Sequence, residues 1–172
     1  LLLLDGGAET TRTVIGAVIR ELALRPDQRS ILIENPSILG QTAVEEFIRW
    51  VTPILNMRRT ATRDLEFRGK SIKKGDQLLL MYASANRDES VFEDPDNFDV
   101  RRSHNHHVAF GFGTHFCLGS SLARIEIRVM FEELLRRIPD WRLTPGVESK
   151  ILGATFTRAY DRVEIEFTPE SR

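Results

Sequence analysis

One ten-residue stretch constrains this chain more than any other: Phe110-Gly111-Phe112-Gly113-Thr114-His115-Phe116-Cys117-Leu118-Gly119. It gathers three glycines and the sole cysteine, then leads straight into an amphipathic run. Leu118, Leu122, Ile125 and Val129 recur at helical spacing, which predicts a helix starting beside the thiol. The unpaired N–H groups and positive dipole end of such a helix favour thiolate over thiol. Gly111 and Gly113 permit the positive φ angles of a tight loop, and Gly119 lets backbone approach the sulfur. Phe110 and Phe116 can shield it from water. A dry thiolate with oriented N–H donors suits a metal ligand. The competing reading is a lone cysteine packed as a small buried hydrophobe.

The chain's 172 residues suffice for one sizeable domain, which at this length buries about two thirds of its unfolded surface. Lys plus Arg number 24 against 25 Asp plus Glu, a net charge of −1. That balance argues against a nucleic-acid partner, which normally calls for a basic excess. One cysteine cannot close an internal disulfide, which suits a reducing cytoplasm. No stretch is apolar for long enough to span a bilayer, since Asp5 cuts short Leu1–Leu4, and no basic leader with a cleavage site is visible. No membrane partner is expected. The chain begins at Leu1, inside a helical pattern, and reads as a piece of a longer protein.

Helical periodicity extends from Leu1 to about Leu24, with Gly6-Gly7 as a weak point where the helix can kink. Glu9 and Thr10 follow. They read either as ordinary solvent-facing polars or as a Thr hydroxyl turned away from the helix ladder toward a ligand. Arg25-Pro26-Asp27 marks a second helix start and Asn35-Pro36 its end. A third helix runs from about Leu39 to Val51, carrying Glu46 and Arg49 three apart on one face. Spacing alone makes them a solvated ion pair. Strands are expected over Ile54–Thr60, in a hairpin over Leu65–Ile72, over Gln77–Tyr82, and in short pieces at Trp141–Leu143, Thr155–Thr157 and Val163–Phe167. A short helix is expected over Ala83–Asp88, then a turn-rich stretch at Asp94–Asp99. The last helix stops at Pro139. Four histidines, His104, His106, His107 and His115, precede Cys117. Zinc wants about four N or S ligands in spaced pairs, which one cysteine does not supply. Arg124, Arg128, Arg136 and Arg137 read as a solvated face or a docking face.

The pattern Phe110-x-x-Gly113-x-x-x-Cys117-x-Gly119 resembles the haem-binding loop of the cytochromes P450. Gly6-Gly7-Ala8-Glu9-Thr10 is similar to the oxygen-activating segment of that family's long central helix, with Asp5 a departure from its usual apolar residue. The order and separation of motifs match the family from Gly6 to Gly119. The resemblance implies a mainly α fold with small β-sheets, residues 1–172 being the C-terminal haem-binding part of one larger domain. It implies haem b (iron protoporphyrin IX), with Cys117 as axial iron ligand and Phe110, Gly111, Gly113, Leu118, Gly119 and Ala123 against the macrocycle. Arg59, His107 and His115 are implied to hold the propionates, and His104 and His106 to be solvated. Thr10 is implied to hydrogen-bond dioxygen or water, and Glu9 to help relay protons.

Gly6, Ile54, Leu55, Asn56 and Phe156 are implied to meet substrate. Glu46 and Arg49 match a Glu-x-x-Arg helix, implied to form a buried structural network with Arg102. The implied reaction inserts one oxygen atom of O2 into a C–H bond of a small hydrophobic substrate. Soluble actinobacterial hydroxylases of steroid side chains or methyl-branched lipids are the members it most resembles. Ferredoxin and ferredoxin reductase are the implied electron donors, with Arg124 and Arg128 on the docking side. Two alternatives stay open: a haem-thiolate peroxygenase, and a haem-free structural module that self-associates through Leu1–Leu4 and Ile54–Met57.

Overall fold

The computed structural model describes residues 2–170, with side chains from residue 6 onward; the apolar Leu1–Leu4 cluster and Asp5 lie outside the described side chains. The fold is mainly helical: α1 (Leu2–Leu24), α2 (Pro26–Glu34), α3 (Val44–Val51), α4 (Tyr82–Ala85) and α5 (Ser120–Arg137). Three two-stranded antiparallel sheets flank them. β1 (Asn56–Thr60) pairs with β4 (Gln77–Met81), β2 (Leu65–Phe67) with β3 (Lys70–Ile72), and β5 (Arg142–Leu143) with β6 (Ile165–Glu166). The β2–β3 turn takes Arg68 and Gly69 into the left-handed region, at φ 49° and 74°, as a tight hairpin requires.

α1 runs as one continuous helix through Gly6-Gly7, the point at which it could weaken. Its buried row Val14, Ala17, Val18 and Leu22 packs on α3 and α5, and packing of this kind outweighs local propensity. Pro26 opens α2 at its first position and Asn35 ends it. The expected helix over Leu39–Val51 begins instead with a π turn, Leu39–Ala43, whose two end residues are both buried. Thr52 then enters the left-handed region at φ 42° and closes α3 before Pro53. Phe47 sits at the centre of the core, its ring 4.9 Å from that of Phe131 and 6.0 Å from that of Phe98. Trp141, expected in a strand, is buried beneath α1 instead, its Nε1 donating to the Ile19 carbonyl at 3.0 Å. Around Thr155–Thr157 the expected strand reduces to one bridge, Ile54 to Thr157.

α5 starts at Ser120, with Gly119 as N-cap, not beside the thiol at Leu118. Its core face is the row Ile127, Phe131 and Leu135, spaced four apart. The periodic row that predicted the helix lies on another side: Leu118 is 89% exposed and Leu122 59%, with Ile125 and Val129 also exposed. Two apolar rows share this helix, and only one is covered.

Two neighbouring carboxylates on α3 tie the irregular chain between α4 and α5 to the core. Glu46 and Arg49 are both fully buried. Glu46 accepts from Arg49 Nε at 2.7 Å and Nη2 at 2.9 Å, from Arg102 Nε at 3.2 Å, from Asn105 Nδ2 at 3.0 Å and from the Asp99 amide at 3.0 Å. Arg49 donates onward to the carbonyls of Asn86, Pro95 and Asn97. Glu45, one residue earlier, accepts from Arg124 Nε at 2.6 Å and Nη2 at 3.0 Å and contacts His107 Nε2 at 3.0 Å. Burial pushes the Glu45 carboxyl up, but hydrogen bonds from His107 and Arg124 outweigh it and hold the group at about 2.

Glu46→Ala leaves Arg49 charged and without its carboxylate inside the core; its denaturant midpoint is expected to report a loss of about 3–5 kcal/mol. Equal stability of mutant and wild type would show that the pair carries no structural burden. Glu45, at about 2 in the folded chain, sits below its ordinary 4.5. Its charged form therefore stabilises the fold fully above about 4.5, and that contribution fades as pH falls toward about 2, where folded and unfolded chains both bind the proton. The stability gap between wild type and Glu45→Gln should narrow across that window, as read from urea unfolding at stepped pH. A gap constant from pH 7 to pH 3 contradicts the assignment.

Candidate functional site

A cavity of about 410 Å³ lies between α1, the start of β1, the loop carrying Cys117 and the first turns of α5. Its α1 wall is one helical face, Gly6, Gly7, Thr10, Thr11 and Val14, at offsets of one, four, five and eight. Glu9 falls off that face and forms an exposed pair with Arg12 at 2.6 Å. Thr10 borders the cavity, but its hydroxyl donates to the Gly6 carbonyl at 2.9 Å, back along the helix ladder and not away from it. Thr11, singled out by no role in the sequence, is buried beside it.

The strand wall follows the two-residue period of a strand. Met57 and Arg59 line the cavity, with Ile54 and Pro53 just before them. Asn56 has the opposite parity, and its Nδ2 donates to the Thr155 carbonyl at 2.7 Å. The Leu55 amide donates to the Phe156 carbonyl at 2.9 Å. Leu55, Asn56 and Phe156, expected to meet substrate, do not line this cavity. Arg59 has no acidic partner among the described residues; one of its nitrogens donates to the Arg58 carbonyl at 2.9 Å.

The loop wall supplies Ala109, Phe110, Gly111, His115, Cys117 and Gly119. Gly111 and Gly113 adopt φ of 74° and 70°, the left-handed conformation expected of them. The Cys117 amide donates to the Phe110 carbonyl at 2.9 Å, which folds the loop back on itself and turns residue 117 toward the cavity. Cys117 is exposed. The expected shielding by Phe110 and Phe116 is not realised: their rings sit 6.2 Å apart, and Phe116 is itself exposed. Nor does the thiol sit at the helix tip, because it lies two residues before the N-cap. Leu118 and Gly113 do not line the cavity.

Two of the expected anion holders part company. His115, on a short 3-10 turn over Gly113–His115, borders the cavity with Arg59. His107 does not. Its Nδ1 accepts from the Ala109 amide at 3.3 Å, so Nε2 carries the hydrogen directed at Glu45. Both ring nitrogens are committed, and the expectation of a propionate contact from His107 is corrected. Arg124 is likewise drawn onto Glu45, and its guanidinium carbon stands 4.5 Å from the Phe110 ring centroid. The hydrogen bond it donates to Glu45 raises its pKa, against burial, and the Glu45 charge adds to that rise. Arg124 is thus a strut between α3 and the loop and not a free docking charge.

On the α5 side Leu122, Ala123 and Glu126 complete the wall, and Tyr82 closes it from α4. A Cβ built at Gly6, Gly7 or Gly119 meets nothing of this chain within 4 Å. Packing within the chain does not require glycine at these three places; their smallness widens the cavity. An exposed thiol, a guanidinium and an imidazole around a mostly apolar cleft fit a flat, apolar, doubly anionic macrocycle that offers a metal to sulfur. Among the described residues no cluster of His, Cys, Asp and Glu could hold a bare metal ion. No described helix is long and apolar enough to cross a membrane.

Known proteins resemble this chain along nearly its whole length. The profile of the cytochrome P450 family matches residues 1–152. A steroid C26-monooxygenase of Mycolicibacterium smegmatis is 46% identical over 171 residues, 99% of this chain and 42% of that protein. A methyl-branched lipid omega-hydroxylase of Mycobacterium bovis is 50% identical over 141 residues, 81% of this chain and 33% of that one. Substrate-free CYP109E1 from Bacillus megaterium superposes with a TM-score of 0.94 at 35% identity, covering 98% of this chain and 44% of its own. The chain thus spans less than half the length of the relatives it matches. By profile, sequence and fold it belongs to the cytochrome P450 family, whose named relatives here are monooxygenases.

Proposed function

We propose that this chain is the C-terminal haem-binding part of a single larger P450 domain, one that oxygenates a C–H bond of a hydrophobic substrate. One observation carries the reading: the sole cysteine is exposed at the edge of an apolar cavity that also presents Arg59 and His115. Cys117 would be the axial ligand of haem b, Arg59 and His115 would pair with its carboxylates, and Phe110, Gly111, Gly119 and Ala123 would flank it. Gly6, Gly7 and Thr10 would line the opposite side. Bound haem would supply the electron-transfer and dioxygen chemistry, with a thiolate ligand favouring O–O cleavage.

The chain's own residues orient and dry the site. Val14, Ile54 and Met57 offer an apolar surface that excludes water and suits a greasy substrate. Likeness to the two mycobacterial relatives supports a steroid or a methyl-branched lipid. Thr10 Oγ1 has its proton on the Gly6 carbonyl, so its lone pairs can accept a hydrogen bond from within the cavity. A relay through Glu9 requires its carboxylate to leave Arg12, and an exposed pair of that kind holds it by about 1 kcal/mol or less. A ferredoxin with its reductase is the electron source. Turnover on peroxide alone, with no gain from ferredoxin, would instead identify a peroxygenase.

A second reading, a haem-free module that self-associates, is favoured by the exposed Leu122, Ile125 and Val129 on α5, with Leu118 just before it. Light-scattering mass recorded alongside the visible spectrum separates the two, since the module is oligomeric and colourless.

Chain mixed with haem, reduced and exposed to CO should show the strongly red-shifted Soret band of a thiolate ligand, and Cys117→Ser should lose it. A band unchanged in the mutant rules out sulfur ligation at residue 117. In the haem-loaded protein supplied with ferredoxin and reductase, Thr10→Ala should bind haem as before yet divert a larger share of electrons to hydrogen peroxide. Product formed per electron at the wild-type ratio would remove Thr10 from proton handling.

A further inference from the structure

A second cavity, of about 270 Å³, opens farther along α1 and shares no lining residue with the first. Four arginines line it, Arg20, Arg25, Arg87 and Arg158, against a single carboxylate, Glu21. Glu21 is buried and already paired twice, with Arg20 at 3.0 Å and with Arg25. Arg87 reaches the carboxylate of Asp96 at 3.4 Å, but Asp96 is 90% exposed. Its other bonds go to the backbone carbonyls of Pro95 and Trp50. Arg158 is half-buried. Its amide is held by the Pro53 carbonyl at 2.9 Å, while its guanidinium has no carboxylate or hydrogen-bond acceptor among the described residues.

Aromatic rings form the rest of the wall. The Arg87 guanidinium carbon lies 3.9 Å from the Trp50 ring centroid, that of Arg25 lies 5.2 Å from it, and that of Arg20 stands 5.2 Å from the Tyr160 ring. Burial, and then repulsion from Arg49, presses Arg87 down to about 10, with Arg158 adding to the repulsion. Like charges gathered in a cleft with low-dielectric walls focus a positive potential. Planar guanidinium forks match the geometry of carboxylate and phosphate oxygens.

We propose that this cavity binds a small oxyanion, a carboxylate or phosphate group, with Arg158 and Arg87 as its principal donors and Trp50 as its apolar floor. The site is independent of haem and of the oxygenation reading. Arg20 and Arg25 have a carboxylate of their own and frame the opening, which leaves Arg158 as the donor with unused hydrogens. An ordered oxyanion there would sit between two guanidiniums that otherwise repel.

The test follows tryptophan fluorescence of the full chain, in which Trp50 but not Trp141 lines this cavity, while inorganic phosphate, and separately succinate, is titrated at constant ionic strength with chloride as balance. A saturable change is expected, with affinity about tenfold or more weaker in Arg158→Gln, the loss typical of one charged hydrogen-bonding group. Arg158→Gln breaks no hydrogen bond seen in the fold and should keep the wild-type circular dichroism. Arg20→Gln is a second variant expected to weaken binding, since Arg25 still pairs with Glu21. Saturation by phosphate alone identifies a phosphate ester as the ligand class, by succinate alone a carboxylate, and by both an oxyanion of either kind. No saturation with either anion, or equal affinity in wild type and both variants, overturns the proposal.

Discussion

A carboxylate and a guanidinium with no contact with water hold this structure in register. Burying Glu46 and Arg49 is costly in itself, and such a pair adds little net stability over apolar residues of the same volume. Its worth lies in what it compels. The charges are tolerable only when every lone pair and hydrogen finds a partner, and those partners are the Asp99 amide, Asn105, Arg102 and three carbonyls between Asn86 and Asn97. The chain from α4 to the loop carrying Cys117 has almost no regular structure of its own. Local turns satisfy many of its backbone groups, and the buried ion pair takes four more, which ties those turns to α3.

The neighbouring residue extends that control to the site. On a helix, consecutive side chains diverge by about 100°, so Glu45 faces a different quarter from Glu46. It meets His107 just ahead of the thiol loop and Arg124 just behind it. Two adjacent acids of one short helix thus clamp the meander, the entry to the loop and the helix that leaves it. Cys117 lies between these clamps and α5, whose first residue, Ser120, donates its amide to the Cys117 carbonyl at 3.3 Å.

Much of the element order was legible in the sequence because prolines, glycines and apolar periodicity mark it locally. Pro26 opens a helix, Thr52-Pro53 ends one, and Arg68-Gly69 turns a hairpin, each by a rule acting within a few residues. The pairing of Glu46 with Arg49 was visible as spacing; its burial was implied only by the family resemblance, since burial comes from the α1, α5 and Phe98 surroundings and not from α3 alone. The α5 row misled for a similar reason. Ile127, Phe131 and Leu135 form as good a row as Leu118, Leu122, Ile125 and Val129, and periodicity cannot say which of two apolar faces is covered.

At the site, Cys117 and the α1 glycines stood out by residue type, Arg59 and His115 through the family resemblance, and Met57 as an apolar residue of its strand but not as part of the lining. Strand parity would have found it, because a strand that turns Arg59 to a cavity turns Met57 there too and Asn56 away. His107 and Glu45 were out of reach: they lie sixty-two residues apart in the chain and are joined only by the fold.

One face of α1 serves two chemically opposite cavities. Gly6, Gly7, Thr10, Thr11 and Val14 border the apolar one, and the same stripe continues at three- and four-residue steps through Ala17, Glu21 and Leu24 to border the basic one. The change of character lies in what meets the stripe. Near its start β1 and the thiol loop bring Ile54, Met57 and Phe110; near its end the last turn of α3 and the chain at Arg158 bring Trp50 and unpaired positive charge. The buried Val14, Val18 and Leu22 seat the helix on the core between the two. The stripe keeps one phase from one cavity to the other. A shift of one residue in that phase would turn Thr10 out of one cavity and Glu21 out of the other, so the geometry of each site is set by the same packed row.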